Sequence, residues 1–265
     1  MYKKIRSLVK AGFKEAVAYR FHFYITLITS PLQLLIYYFL WKSIFSYSGQ
    51  ETIKGFTFEV MISYYALNMI VSFFTWSNVD EWLEKDVRHG ELISSLLRPF
   101  KIIYYYFFNL LGISSLAIIL EIIPLFLIAI FFFGLNIAPI FYFIAFLVSL
   151  ILALLISFLV SYITGMTTFW FNQISGIRRV KRVLVVFLSG GMIPLTFFPE
   201  VFQKISSYLP FQYMRFTTIN IYLQNYTHLE TIMTLGVQAA WILLLYAIAE
   251  LIWYKAFRKF AGAGA

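Results

Sequence analysis

The sequence predicts an all-α, polytopic membrane protein, and three observations carry that reading. The chain of 265 residues is 61% hydrophobic and 12% charged, where a soluble domain carries about 25% charged residues. Its mean hydropathy is +0.80. Its lysines and arginines gather in alternate segments between long apolar runs. A net charge of +9 therefore reflects basic loops facing the cytosol and gives no reason to expect nucleic acid as a partner.

An α-helical crossing needs about twenty mainly apolar residues. Six runs qualify: Phe21–Phe45, Phe58–Val79, Ile102–Phe133, Pro139–Phe169, Val183–Phe198 and Thr231–Tyr254. The third and fourth exceed what a bilayer requires, so they tilt, kink or project. Pro124 marks a kink in the third. No linker or repeat divides the chain, so residues 1–265 read as one transmembrane domain. No cleavable signal peptide is expected, because the first apolar run is too long for one.

Orientation follows from the basic residues. With the N-terminus in the cytosol, the inner segments Met1–Arg20, Asp80–Lys101, Asn172–Arg182 and Lys255–Ala265 hold 6, 4, 4 and 3 of them, which is 17 of the 21 lysines and arginines. The outer side keeps Lys42, Lys54, Lys204 and Arg215. This bias predicts six crossings with both termini cytosolic.

In MYKKIRSLVKAGFKEAVAYR, apolar or small residues at Ile5, Leu8, Val9, Gly12, Phe13, Ala16 and Val17 fall at helical spacing, with Lys3, Lys10 and Lys14 off the stripe. The segment reads as an amphipathic helix lying on the inner leaflet, or as a lever that also touches a cytosolic partner. In the second run, Tyr64, Asn68, Ser72 and Thr75 form one polar-tipped stripe. Such a face suits helix–helix hydrogen bonding or a slot for amphipathic molecules.

Between the second and third runs lies RHGELISSLLRPF. Leu92, Ile93, Leu96 and Leu97 make an apolar face, Glu91 suits the first turn, and Arg98-Pro99 stops the helix. The densely charged Asp80–Asp86 stretch before it reads as loop. A short amphipathic helix here either rests on lipid or presents its leucines to a groove on a soluble protein.

Glu121 falls near the middle of the third run, where an ionisable group is expensive. It is either a hydrogen-bonded structural residue or a functional one. In the fifth run, Gly190-Gly191 followed by Pro194 weakens a helix from inside. A break at that depth must be covered by protein or line a cavity, so the segment packs against other helices or borders a pathway. The stretch from Glu200 to His228 reads as two short re-entrant or interfacial helices before the last span.

Several chemistries are excluded. With no cysteine, there are no disulfides, thiolate metal sites or cysteine nucleophiles. His22, His89 and His228 lie far apart in the sequence, so no metal site is expected. No P-loop, H-E-x-x-H or G-x-S-x-G motif occurs, so no catalytic residue is assigned.

The loop motif Gly90-Glu91-Leu92-x-x-x-Leu96-Leu97-Arg98-Pro99 and the later block Gly191-x-x-Pro194-x-x-x-x-Pro199 resemble the type-2 (ABC-2) permeases of ATP-binding-cassette transporters. The likeness extends over nearly the whole chain. It is closest to a subgroup of bacterial permeases of largely unassigned substrate. The resemblance implies a permease half-unit in the bacterial cytoplasmic (inner) membrane. That unit would pair with a second permease subunit and dock on ATPase subunits that carry the ATP and Mg, binding no cofactor itself. It also implies that His89, Glu91, Leu92, Leu96, Leu97 and Arg98 form the coupling helix to the ATPase. By the same resemblance Tyr64, Asn68, Ser72, Thr75, Gly190, Gly191 and Pro194 line the substrate pathway. The expected function is ATP-driven export of an amphipathic or hydrophobic molecule. An ion-coupled transporter centred on Glu121, and a membrane-bound immunity or scaffold protein, are the alternatives.

Overall fold

Long apolar runs leave the backbone no hydrogen-bonding partner but itself, and this chain satisfies it with helices. The computed structural model describes residues 2–18, 20–97, 101–171 and 173–263. Among them the only β pairing is a bridge between Ile53 and Phe56. The helices are α1 (Tyr2–Ala18), α2 (Arg20–Ser48), α3 (Phe58–Phe74), α4 (Val79–Arg88), α5 (Leu92–Leu96) and α6 (Ile102–Ala117), followed by α7 (Ile123–Phe133), α8 (Ile140–Met166), α9 (Ser175–Leu188), α10 (Glu200–Ser207), α11 (Phe216–Tyr222) and α12 (His228–Ala263).

Among the described residues, five helical stretches are long and apolar enough to cross a membrane: Tyr24–Ser48, Phe58–Arg88, Ile102–Phe133, Ile140–Phe169 and His228–Phe257. The expected fifth run, Val183–Phe198, is not among them. Its α-helix stops at Leu188, and Gly190 turns the chain at φ +73°. Pro194 then opens a short 3-10 turn, Leu195–Phe197. Glycine permits the left-handed turn and proline removes the next donor, so a continuous helix cannot form. From Glu200 to Tyr222 the chain packs back on the bundle, with α11 against α8 and α3.

The irregularity expected at Pro124 lies just before it. Residues Ile118–Ile122 form a π turn, and Pro124 sits in the first turn of α7. Because proline has no N–H to return to the preceding turn, the helix changes register there. Helix α7 ends at Gly134, whose φ of +70° closes the turn. Helix α12 starts with a capping box, in which the Thr227 N–H donates to Glu230 and the Glu230 N–H donates to Thr227 Oγ1.

Helix α3 is the hub. Residues Met61–Val71 are all buried, the pattern of a helix enclosed on every side. One apolar cluster joins α3 to α2, α7, α8 and α11, and a second joins α4, α5 and α6 to the other half of α8 and to α12. Helix α1 packs along α6. A Cβ on Gly12 would strike the Asn109 carbonyl, and one on Gly112 would strike the Val9 carbonyl. The stripe read as facing the leaflet thus includes a glycine contact with a helix.

Candidate functional site

The end of α9 leaves carbonyls with no donor in their own helix. Five in succession find partners elsewhere. Ser206 Oγ donates to Leu188 O at 2.6 Å, and the Phe216 N–H donates to Ser189 O at 3.0 Å. Tyr64 OH donates to Gly190 O at 2.7 Å. Asn68 Nδ2 donates to Gly191 O at 2.8 Å, and Tyr65 OH donates to Met192 O at 3.1 Å. The two glycines are needed sterically as well. A Cβ on Gly190 would lie 2.7 Å from Tyr64 OH, and one on Gly191 would lie 2.5 Å from Arg215 Nη1.

The stripe read from the sequence therefore divides. Tyr64 and Asn68 reach Gly190 and Gly191, which joins the two groups of expected pathway residues. Ser72 and Thr75 instead donate to Asn68 O and Val71 O of their own helix, at 2.5 and 2.7 Å. Pro194 is buried at the start of the 3-10 turn.

The segment expected to couple to an ATPase divides too. Its helix, α5, is only five residues long. Leu92 is wholly buried in the second apolar cluster, and Leu96 packs partly against it. Ile93 and Leu97 are 55% and 83% exposed. His89 ends α4, Gly90 turns the chain at φ +75°, and both are exposed with Glu91. One side of the segment is thus an anchor and the other a free tip. Arg98 lies outside the described residues.

The Asp80–Asp86 stretch, read from the sequence as loop, is helix α4, and its charges are partnered. Asp80 pairs with Lys181 at 2.7 Å, and Lys181 also donates to Ser161 Oγ at 3.1 Å. Arg178 lies 3.1 Å from Glu84 and 3.4 Å from Glu81. Glu84 also accepts the Ile174 N–H at 3.1 Å. Tyr106 OH donates to Asp86 at 2.5 Å. The pairs to Arg178 and Lys181 tie α4, and with it the exposed tip that follows, to the base of α9, and Tyr106 ties α4 to α6. One signal could have revealed them: Asp80 and Glu84 stand four apart, Arg178 and Lys181 three apart, in segments assigned to the same membrane side.

Glu121 is buried inside the π turn, in a crevice too tight for water that it shares with Thr26, Ser30 and Pro31 of α2. Arg215 was counted with the outer cations. Instead it lines the same cavity as Lys181 and Arg182, which were counted with the inner ones.

The family described as ABC-2 family transporter protein matches residues 32–264. No curated protein matches the chain.

Proposed function

The chain belongs to the ABC-2 transporter family, and from that premise we propose that it is the permease of an ATP-driven exporter of amphipathic or hydrophobic molecules. Membership carries the coarser statements directly. The protein is a multi-pass membrane transport subunit, and its family works with an ATP-binding subunit. The finer reading places it in a bacterial inner membrane with both termini cytosolic. It counts α9 and the re-entrant stretch to Tyr222 together as a sixth crossing.

In this reading ATP and Mg reside on the partner ATPase, and His89–Arg98 is the coupling segment. The supporting observation is the division of that segment. Leu92 holds it to the core, while His89, Glu91, Ile93 and Leu97 stay exposed. A displacement of the tip would pass through α4 and its ion pairs to α9, and from α9 to the turn held by Tyr64 and Asn68. That route ends at the expected pathway residues. Val180, Val183, Leu184 and Phe187 form an exposed apolar stripe along α9, which supports a second permease subunit packing there.

The test is co-purification with the cognate ATPase. Ile93→Ser with Leu97→Ser should leave insertion and thermal stability unchanged, because neither side chain is buried, yet lose the ATPase and substrate-stimulated hydrolysis. A double variant that retains both would remove the coupling assignment. Orientation is checked separately with single cysteines. Gly49→Cys should label from outside with an impermeant thiol reagent, and Ser175→Cys only after permeabilisation.

A further inference from the structure

A cavity of about 160 Å³ lies where the α3–α4 junction, α8 and α9 meet the 3-10 turn Pro210–Met214. It has room for several waters or one tetrahedral oxyanion. Its walls carry four cations, Arg178, Lys181, Arg182 and Arg215, and two carboxylates, Asp80 and Glu81. Arg178 and Lys181 are paired with carboxylates. Arg182 stands over the ring of Trp76 at 5.9 Å and is near enough to attract the Glu81 carboxylate, but it forms no ion pair within 4 Å among the described residues.

Arg215 is the more telling of the two. It is half-buried, forms no ion pair among the described residues, and has its Nε buried without a hydrogen-bond partner. Ser77 Oγ, in the same wall, is likewise buried without a partner. A guanidinium is always charged, and placing it out of water without a counter-charge is costly. Two guanidinium forks facing one cavity with no ion pair closer than 4 Å, and an unused hydroxyl beside them, are the donor set that binds a tetrahedral oxyanion.

We propose that this cavity binds the phosphate group of an anionic molecule, with Arg182 and Arg215 as its principal ligands. The apolar part of the wall, Val160, Val185, Val186 and Met214, favours a phosphate carried on an amphiphile. Reading the bound group as the head of the transported molecule rests on the permease assignment, whereas binding itself does not.

The experiment uses the purified full-length chain in a maltoside detergent, whose head carries no phosphate. Calorimetric titration with dihexanoyl phosphatidate, inorganic phosphate and dihexanoylglycerol separates head from tail. Phosphatidate should bind and dihexanoylglycerol should not. Arg182→Gln and Arg215→Gln should each weaken binding roughly tenfold or more. Arg179→Gln should leave it unchanged, since Arg179 is exposed on α9 and does not line the cavity.

Equal binding of inorganic phosphate, with the same dependence on the two arginines, would support the site and identify a soluble phosphate as its occupant. Failure of both phosphate probes to bind would overturn the proposal. So would equal binding of phosphatidate and dihexanoylglycerol, or wild-type affinity in a folded Arg182→Gln sample. Should Arg215→Gln lose its thermal transition, the exposed Arg182 decides. The ATPase co-purification is read on separate samples, so the permease assignment and the phosphate site can fail independently.

Discussion

Helix α9 and its terminal turn are joined twice to the α3–α4 segment, and the two joints are built from different chemistry. At the base, Asp80 and Glu84 meet Lys181 and Arg178 as ion pairs, with side-chain exposures of 5%, 5%, 17% and 23%. At the turn, Tyr64, Tyr65 and Asn68 donate as neutral groups to backbone carbonyls, and all three are buried. Partial access to water lowers the desolvation penalty of an ion pair. Where water is excluded, a neutral donor satisfies a carbonyl without bringing a charge into low dielectric. The base joint should therefore respond to salt, and the turn joint should not.

The largest effect should follow Gly190→Val at the turn. A β-branched residue would adopt φ +73° and drive its Cβ into Tyr64 OH. The left-handed strain and overpacking together should cost roughly 3 kcal/mol or more. Thermal unfolding in detergent should show a large loss of stability or no folded fraction. A midpoint near wild type would mean that the turn is not held as described.

Next comes Tyr64→Phe with Asn68→Ala. The pair strands Gly190 O and Gly191 O without donors, at about 1–3 kcal/mol for each carbonyl. The loss should be the same at low and high salt. A salt-dependent loss would erase the distinction between the two joints.

These two joints also show what the sequence makes legible. The Gly190-Gly191-Pro194 break is visible because glycine and proline act on the backbone locally. Four of the apolar runs, beginning at Phe21, Ile102, Pro139 and Thr231, each correspond to one long helical stretch. The second continues through α4 to Arg88. The charged residues of Asp80–Asp86 look like loop because the partners of Asp80 and Glu84 stand about a hundred positions away, and the four-residue spacing of the two carboxylates does not by itself say that they are paired. Arg215, expected on the outer side, shares a cavity with Lys181 and Arg182, expected on the inner side, and the sequence does not show that proximity. Loop counting assigns a side to each segment between spans, whereas this segment folds back on the bundle. For the expected coupling helix, helical spacing identifies the apolar residues. It could not tell which of them, Leu92 or Leu97, would face the core.

A smaller effect is expected at the base from Glu84→Gln. The amide oxygen can still accept the Ile174 N–H, and Arg178 keeps Glu81 at 3.4 Å. The charge is lost from two pairs, with Arg178 at 3.1 Å and with Arg88 at 3.9 Å. Glu84 is buried but both arginines keep access to water, so a loss of about 1–2 kcal/mol is expected. The gap from wild type should narrow at 1 M salt, where the screening length is about 3 Å. An undiminished gap would indicate that the pairs are as isolated from water as the turn.

The smallest effect is expected from Glu121→Gln, and it tests whether the rule drawn from the two joints extends to a third place. Glu121 is 7% exposed within the third span, in a π turn against Thr26, Ser30 and Pro31. If buried polar groups at this depth work as neutral hydrogen-bonding shapes, the amide replaces the carboxyl with little loss, since it keeps two acceptor lone pairs and adds donors. The variant should stay within about 1 kcal/mol of wild type. It should also bind the ATPase and keep most transport. A stable, correctly assembled variant without transport would mean that the carboxyl itself does the work, as in an ion-coupled mechanism. It would then set Glu121 apart from both joints, as an intramembrane acid retained for its charge or its proton.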